Sequence, residues 1–262
     1  LWRVGLRKNS AIEVECLDGG CLVVDPRFYR FIVNSFYDGL MQELNCREGK
    51  VKIGGSWIPL DAIGDPGAVM RALREGWFYD SERSCWVYGN VRFKRLYYSV
   101  LDVFNHDHYD FLSLNGLDVV DIGGFVGDSA IYFISRGARR VVALEPHPGA
   151  FREMVENIKL NSLEGRIVPV NAGLSSSRGC IEVIDSSVSE TQDQHHEKAL
   201  SDEKLDYSDR VEALTLGDVV EEYSVNPSNT ILKLDCEGCE YDVILNDYDH
   251  VGLFREVVVE YH

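Results

Sequence analysis

The stretch "LKLDCEGCEYDVI", residues 232–244, sets two thiols, Cys236 and Cys239, among three carboxylates, Asp235, Glu237 and Glu240. A Cys-x-x-Cys pair points to zinc or to thiol–disulfide exchange. An apolar run ending in Asp-x-Glu-Gly points instead to acids carried to the mouth of a parallel sheet. Zinc takes about four ligands, and no second Cys-x-x-Cys or close Cys/His pair stands at finger-like spacing, so the thiols supply at most half a site. A redox role puts such a pair at a helix start, which "CEGCEY" allows. The flanking pattern favours the cysteines as small buried fillers, because an unpaired buried cysteine behaves as a small hydrophobe. The chemistry then falls to the acids. Lys233 shares a strand face with Asp235, and a charge inside an apolar strand needs a partner, so it is expected to pair with a carboxylate of the site. Glu240 enters the next helix, where an acid in the first turn favours the helix dipole.

A second stretch, "VVDIGGFVGDSAIYF" at residues 119–133, reads as a strand ending at Asp121, a turn holding Gly123, Gly124 and Gly127, and a helix from Asp128. Its spacing, Asp-x-Gly-x-x-x-Gly, differs from the Gly-x-Gly-x-x-Gly of dinucleotide sites. A pyrophosphate wants a helix N-terminus free of acids. S-adenosylmethionine has no phosphate and carries an ammonium, a carboxylate and a sulfonium, so Asp121 suits its cationic end, directly or through water. Glu145, at the end of the next strand and 24 residues after Asp121, stands where an acid grips ribose hydroxyls. The plainer roles for the pair are a helix cap and a solvated side chain. Asn171, after the third strand, is assigned to the adenine pocket.

These residues need a scaffold, and the chain from about 118 onward supplies one. Apolar runs at 118–122, 140–145, 166–171, 230–235 and 256–261 alternate with helical patterns after the first, second and fourth. They barely alternate in polarity, as strands covered on both faces should. The series predicts an α/β, doubly wound, mostly parallel sheet with its ligand outside the carboxyl ends of the strands. "CIEVID" (180–185) and "RVEALTL" (210–216) read as an extra strand pair around a polar stretch, 186–209, that is expected to be mobile and includes His195 and His196. Residues 1–104 form a small α+β cap region near the ligand edge, and 105–262 the sheet domain. Within the cap, "IEVECLDGGCLVV" and "KVKIGGSWIPL" read as hairpins and "RFYRFIVNSFYDGLMQEL" as a helix. "YYSVLDVFNHDHYDFLSL" reads as a helix leading into the sheet. Trp57, Trp77 and Trp86 either stack on a sugar or fill a core, and core is the commoner fate.

Composition narrows the partners. Forty-three acids against 26 bases give a formal charge of −17, which repels nucleic acid and anionic membrane. No run approaches the roughly 18 apolar residues of a membrane span, and the start lacks a secretory apolar region, so the cytoplasm is expected. Seven scattered cysteines fit reduced thiols better than a disulfide framework. The sequence opens on Leu1 and closes on His262 after an apolar run; a bare fifth strand calls for pairing with another subunit, a homo-oligomer, or for a chain that continues.

"VVDIGGFVGDSAIYFISRGARRVVALEPHPGAFREMVENIKLN", then "LKLDCEGCEYDVI" and "VVVEYH", resemble the FkbM family of S-adenosylmethionine-dependent methyltransferases over residues of roughly 105 to 262. The family's motifs are similar: Asp-x-Gly-Ala-x-x-Gly-Asp-(Ser/Thr), Glu-Pro, Lys-x-Asp-x-Glu-Gly-x-Glu and a final x-Glu-x-His. This chain departs at Gly124, where alanine is usual, and at Cys236 and Cys239, where small apolar residues are common. The resemblance implies a Rossmann-like class I methyltransferase fold, S-adenosylmethionine as cofactor and O-methylation of a sugar, glycan or small natural product. An alcohol acceptor needs a base as the new bond forms, and the candidates are Asp235, Glu237 and His262. Asp121, Gly123, Gly124, Gly127, Glu145, Asn171 and Asp235 are assigned to the cofactor, and no metal is assigned. A metal-assisted version would gather Asp235, Glu237, Glu260 and His262. The competing reading is a catalytically inactive methyltransferase fold that binds a cofactor or partner. Nucleobase methylation is disfavoured, because the fourth strand ends in "DCEG" and not in an Asn/Asp-Pro-Pro-aromatic turn.

Overall fold

The computed structural model describes residues 3–6, 11–184 and 208–260. The chain divides into two compact units, Leu1–His108 and Tyr109–His262. In the second, five strands form the central sheet: β1 (Asp118–Ile122), β2 (Arg140–Leu144), β3 (Ile167–Val170), β4 (Thr230–Leu234) and β5 (Glu256–Val259). Their order is β3-β2-β1-β4-β5, with every neighbouring pair parallel. The chain winds outward from β1 through β2 to β3 and then returns to lay β4 against the other side of β1. That reversal opens a crevice outside the carboxyl ends of β1 and β4, the place where open α/β sheets bind ligands.

Every residue of β1 and β4 is buried, which is why neither run alternates in the sequence. Val120, Ile122, Leu232 and Leu234 pack into one apolar cluster with Leu216, Val219, Val243 and Phe254. The alternate positions, Asp121 and Lys233 among them, point to the opposite face. Among the described residues five helices accompany the sheet: α1 (Asp128–Ser135), α2 (Pro148–Leu160), α3 (Leu216–Glu222), α4 (Cys239–Asn246) and α5 (Tyr248–Val251). α2 starts with Pro148 in its first turn and the His147 ring accepting the Gly149 and Ala150 amides, a start that needs no proline N–H. α3 was not anticipated. Thr215 and Asp218 form its capping box, so the run read as a strand to 216 ends as a strand at Leu214.

The extra strands, Gly179–Ile184 and Ser208–Leu214, do pair antiparallel, and Gly173–Leu174 joins them as a third. Most of the polar stretch between them, with His195 and His196, lies outside the described residues, as does His262. Among the described residues no helix is long and apolar enough to cross a membrane.

The first unit holds three small three-stranded sheets. The two expected hairpins are there, Ile12–Glu15 with Cys21–Val24 and Lys50–Ile53 with Ser56–Pro59. The expected long helix covers only Pro26–Tyr37, and its tail becomes the strand Met41–Asn45. The helix placed before the sheet stops at Asn105. Trp77 and Trp86 are core residues, 2% and 0% exposed; Trp57 is half-buried with the Lys52 ammonium over its ring. Cys16 and Cys46 form a disulfide, which corrects the expectation of reduced thiols.

Candidate active site

Asp121 and Lys233 stand opposite each other in the parallel register of β1 and β4. Lys233 Nζ lies 3.0 Å from Asp121 Oδ1 and 3.2 Å from Asp235 Oδ2. It also donates to the Ile122 and Gly123 carbonyls at 3.3 and 3.1 Å. The expected partner of the buried lysine is therefore two carboxylates and the start of the glycine turn. Burial works against its ammonium, but Asp121, Tyr109 and Asp235 around it hold the amine above its ordinary pKa. Two carboxylates against one ammonium leave an excess negative charge at the mouth of the crevice.

Asp121 is wholly buried. Its Oδ2 accepts a 2.6 Å hydrogen bond from Ser129 Oγ in the first turn of α1. Asp121 thus sets charge and holds the turn from beneath, while Asp235, whose side chain is 24% exposed, reaches the surface of the crevice. Tyr109, packed on Phe133 at 5.1 Å between ring centres, lies close enough to feel the charges of Lys233, Asp121 and Asp235; burial pushes its phenol up. Neither Ser129 nor Tyr109 was singled out from the sequence. Ser129 had a signal, its place one residue into the helix after the glycine turn; Tyr109 had none.

The glycine turn is built for close approach. Gly123 has φ +78°, and a Cβ on it would stand 1.6 Å from the Asp235 carbonyl oxygen, so only glycine fits where the two strand ends meet. The Gly123 and Gly124 amides both donate to the Leu144 carbonyl, which ties the turn to the end of β2. Gly127, at φ +86°, starts α1.

Glu145 follows β2 and is 7% exposed. Its Oε2 accepts the Phe125 amide at 2.9 Å and its Oε1 the His147 amide at 2.7 Å. Burial pushes its carboxyl above the ordinary range against the pull of those two amides. The amide of Asn171 donates to the Glu145 and Pro146 carbonyls at 2.9 and 3.1 Å, which puts Asn171 beside Glu145 at the end of β3. The turn after β4 brings Glu237 out to solvent at φ +52°. Glu240 folds back to accept the Gly238 amide at 2.7 Å and the Cys236 amide. That makes it a clamp on the turn, more specific than a dipole effect.

Cys236 and Cys239 form a disulfide. The reading of both as unpaired buried fillers is corrected: they are half-buried, bonded to each other, and rest against the apolar cluster. The signal was the Cys-x-x-Cys spacing itself. Among the described residues no three His, Cys, Asp or Glu side chains gather into a metal site.

The chain is similar to three known proteins among others. A methyltransferase named sdnD from Sordaria araneosa is 26% identical over 186 residues, covering 61% of this chain and 72% of that protein. The hexuronic acid methyltransferase AglP of Haloferax volcanii is 27% identical over 143 residues, 54% of each chain. The solved FkbM methyltransferase of Methylobacillus flagellatus superposes with a TM-score of 0.39 at 14% identity, over 62% of this chain and 42% of that one. The methyltransferase FkbM domain matches residues 121–262, more than half of the chain and the whole acidic switch point, and the chain belongs to that family.

Proposed function

We propose that this chain transfers the methyl group of S-adenosylmethionine to a hydroxyl oxygen of a sugar, glycan or small natural product. The observation that carries the reading is the acidic switch point: Asp121, Lys233 and Asp235 carry one negative charge in excess beside a turn in which Gly123 has no room for a Cβ. The donor set fits a sulfonium nucleoside. An anionic crevice favours the ammonium and sulfonium of the methionine end, and an acid at the next strand end matches vicinal sugar hydroxyls. When bound, S-adenosylmethionine supplies an electrophilic methyl on a good leaving group.

The chain's own residues position and deprotonate. Gly123, Gly124 and Gly127 let the main chain lie alongside the cofactor, and Glu145 accepts from the ribose. Asn171 braces the main chain at Glu145. Asp235 and Glu237, on the turn at the crevice, are assigned to the acceptor, whose proton must leave as the bond forms. His262, outside the described residues, is the third candidate base. The relative named for a hexuronic acid supports an oxygen-rich small acceptor, and the net charge of −17 disfavours nucleic acid.

Tritiated-methyl incorporation over sugars, glycans and extract fractions tests the reading, run beside Asp235→Ala and Glu237→Ala. We expect labelling of a hydroxyl compound, lost in both variants, with S-adenosylhomocysteine binding still measurable by calorimetry. Full labelling in both variants would remove these carboxylates from the reaction. Binding of the cofactor with no labelling in any fraction would favour the inactive, ligand-binding alternative.

A further inference from the structure

We infer that the Cys236–Cys239 pair is a thiol–disulfide exchange site whose redox state sets how tightly the neighbouring crevice holds its nucleoside. This rests on the cofactor reading above and adds its regulation. Three observations carry it. The disulfide closes the turn that runs directly from Asp235, at the crevice, to Cys239, the first residue of α4. The two residues enclosed by it, Glu237 and Gly238, both have positive φ, +52° and +127°, and a left-handed glutamate is strained and persists only where its surroundings hold it. Finally, the turn abuts the cofactor loop so closely that a Cβ on Gly123 would stand 1.6 Å from the Asp235 carbonyl oxygen. A turn that opens therefore moves the wall of the crevice.

Both cysteines are half-buried, and the residues between them are exposed, so a small dithiol can reach the bond. In the reducing direction a dithiol thiolate attacks Cys236 Sγ, breaking the Sγ–Sγ bond and forming a mixed disulfide. Cys239 leaves as a thiolate at the start of α4, where a helix N-terminus favours it, and then takes a proton. The dithiol's second sulfur displaces Cys236, which is released as a thiol. The pair gains two electrons and two protons, and the dithiol becomes a disulfide. Oxidised glutathione runs the exchange in reverse, two molecules of glutathione leaving. With the bond open, the turn keeps the two amide bonds to Glu240 and its anchor at Asp235, whose amide donates to the Ile122 carbonyl and whose carboxylate pairs with Lys233, while the enclosed residues are free to leave their left-handed conformations.

The test uses the full chain carrying Cys16→Ser and Cys46→Ser, which removes the other disulfide, and the unaltered protein with its thiols mapped peptide by peptide. Each is poised with dithiothreitol or oxidised glutathione. Thiols are counted by alkylation and intact mass, and S-adenosylhomocysteine affinity is read by calorimetry. We expect two thiols to appear at Cys236 and Cys239 on reduction, with affinity falling at least fivefold and returning on oxidation. Cys236→Ser/Cys239→Ser should bind as the reduced protein does and ignore the redox buffer. The inference is overturned if the thiols appear with affinity unchanged within twofold, if oxidised glutathione leaves the pair reduced, or if the double variant binds as the oxidised protein does. Binding in neither state overturns the cofactor reading and this one with it.

Discussion

Lys233 and Asp121 face each other across β1 and β4 with 3.0 Å between Nζ and Oδ1, at 2% and 0% side-chain exposure. A buried ion pair of this kind is held together by geometry and extra hydrogen bonds more than by net stability. Here the additional partners are Ser129, Asp235 and the carbonyls of Ile122 and Gly123. The same contacts that satisfy the charges fix the two strand ends at the switch point.

Removing one partner should expose that coupling. Lys233→Met leaves Asp121 as an uncompensated buried charge and should destabilise the fold by about 3–5 kcal/mol in urea unfolding. Adding Asp121→Asn should recover part of the loss in a double-mutant cycle. A single-variant loss below about 1 kcal/mol would show the pair to be energetically idle.

The glycine turn offers a contrast between neighbours. Gly123→Ala must displace the turn after β4, because the new Cβ would stand 1.6 Å from the Asp235 carbonyl oxygen. At Gly124 the nearest atom to a new Cβ is the Ala143 methyl at 3.3 Å, a contact that small shifts relieve. Gly123→Ala should weaken S-adenosylhomocysteine binding more than tenfold, or unfold the protein, whereas Gly124→Ala should stay within about threefold of wild type. Equal effects at the two positions would contradict the packing account.

If the proposed site holds, Glu145 should make S-adenosylhomocysteine binding pH-dependent. Burial raises its folded pKa, so the protein without ligand holds a proton there more readily than a free glutamate does. Ribose hydroxyls donating to the carboxylate favour the charged form and release that proton. Calorimetry in buffers of different ionisation enthalpy should show proton release on binding at mildly acidic pH, vanishing well above the raised pKa. Glu145→Gln should abolish the release and weaken binding at least tenfold. Proton uptake by the wild type would reverse the assignment.

Asp242 ties α4 to the loop after Leu174, accepting from the Ser176 amide and hydroxyl at 2.8 Å each and from Ser175 at 3.0 Å. The Ser176 amide and hydroxyl, with Asn246 and Ser175, hold its carboxyl down at about 2, against an ordinary unfolded value of about 3.9. Its contribution is complete above the unfolded pKa and is lost as pH falls through the folded one. Between about pH 4 and pH 2, wild-type unfolding free energy should therefore fall more steeply than that of Asp242→Asn. Parallel slopes would mean that these hydrogen bonds do not favour the charged form.

The central sheet was legible because its strands are short, apolar on both faces and punctuated by glycine turns, so position in sequence translated directly into position at the switch point. Asp121, Glu145, Lys233 and Asp235 could be placed from that pattern alone. What escaped depended on contacts between distant segments or on competing local signals. Asp242 meets Ser176 across 66 residues, and Tyr109 approaches Lys233 from outside any motif. Met41–Asn45 carries a helix-compatible sequence and becomes a strand by pairing with Lys50–Ile53. The Cys236–Cys239 bond was the opposite case: the spacing was plain, but the surrounding acids drew the assignment away from the sulfurs.

The most direct measurement is calorimetric titration of the full chain with S-adenosylhomocysteine and, separately, with a nicotinamide dinucleotide. One-to-one binding of the first is expected, lost in Glu145→Ala and Gly123→Ala, with no heat from the second. No binding of S-adenosylhomocysteine, or saturable binding of the dinucleotide that Glu145→Ala abolishes, would contradict it.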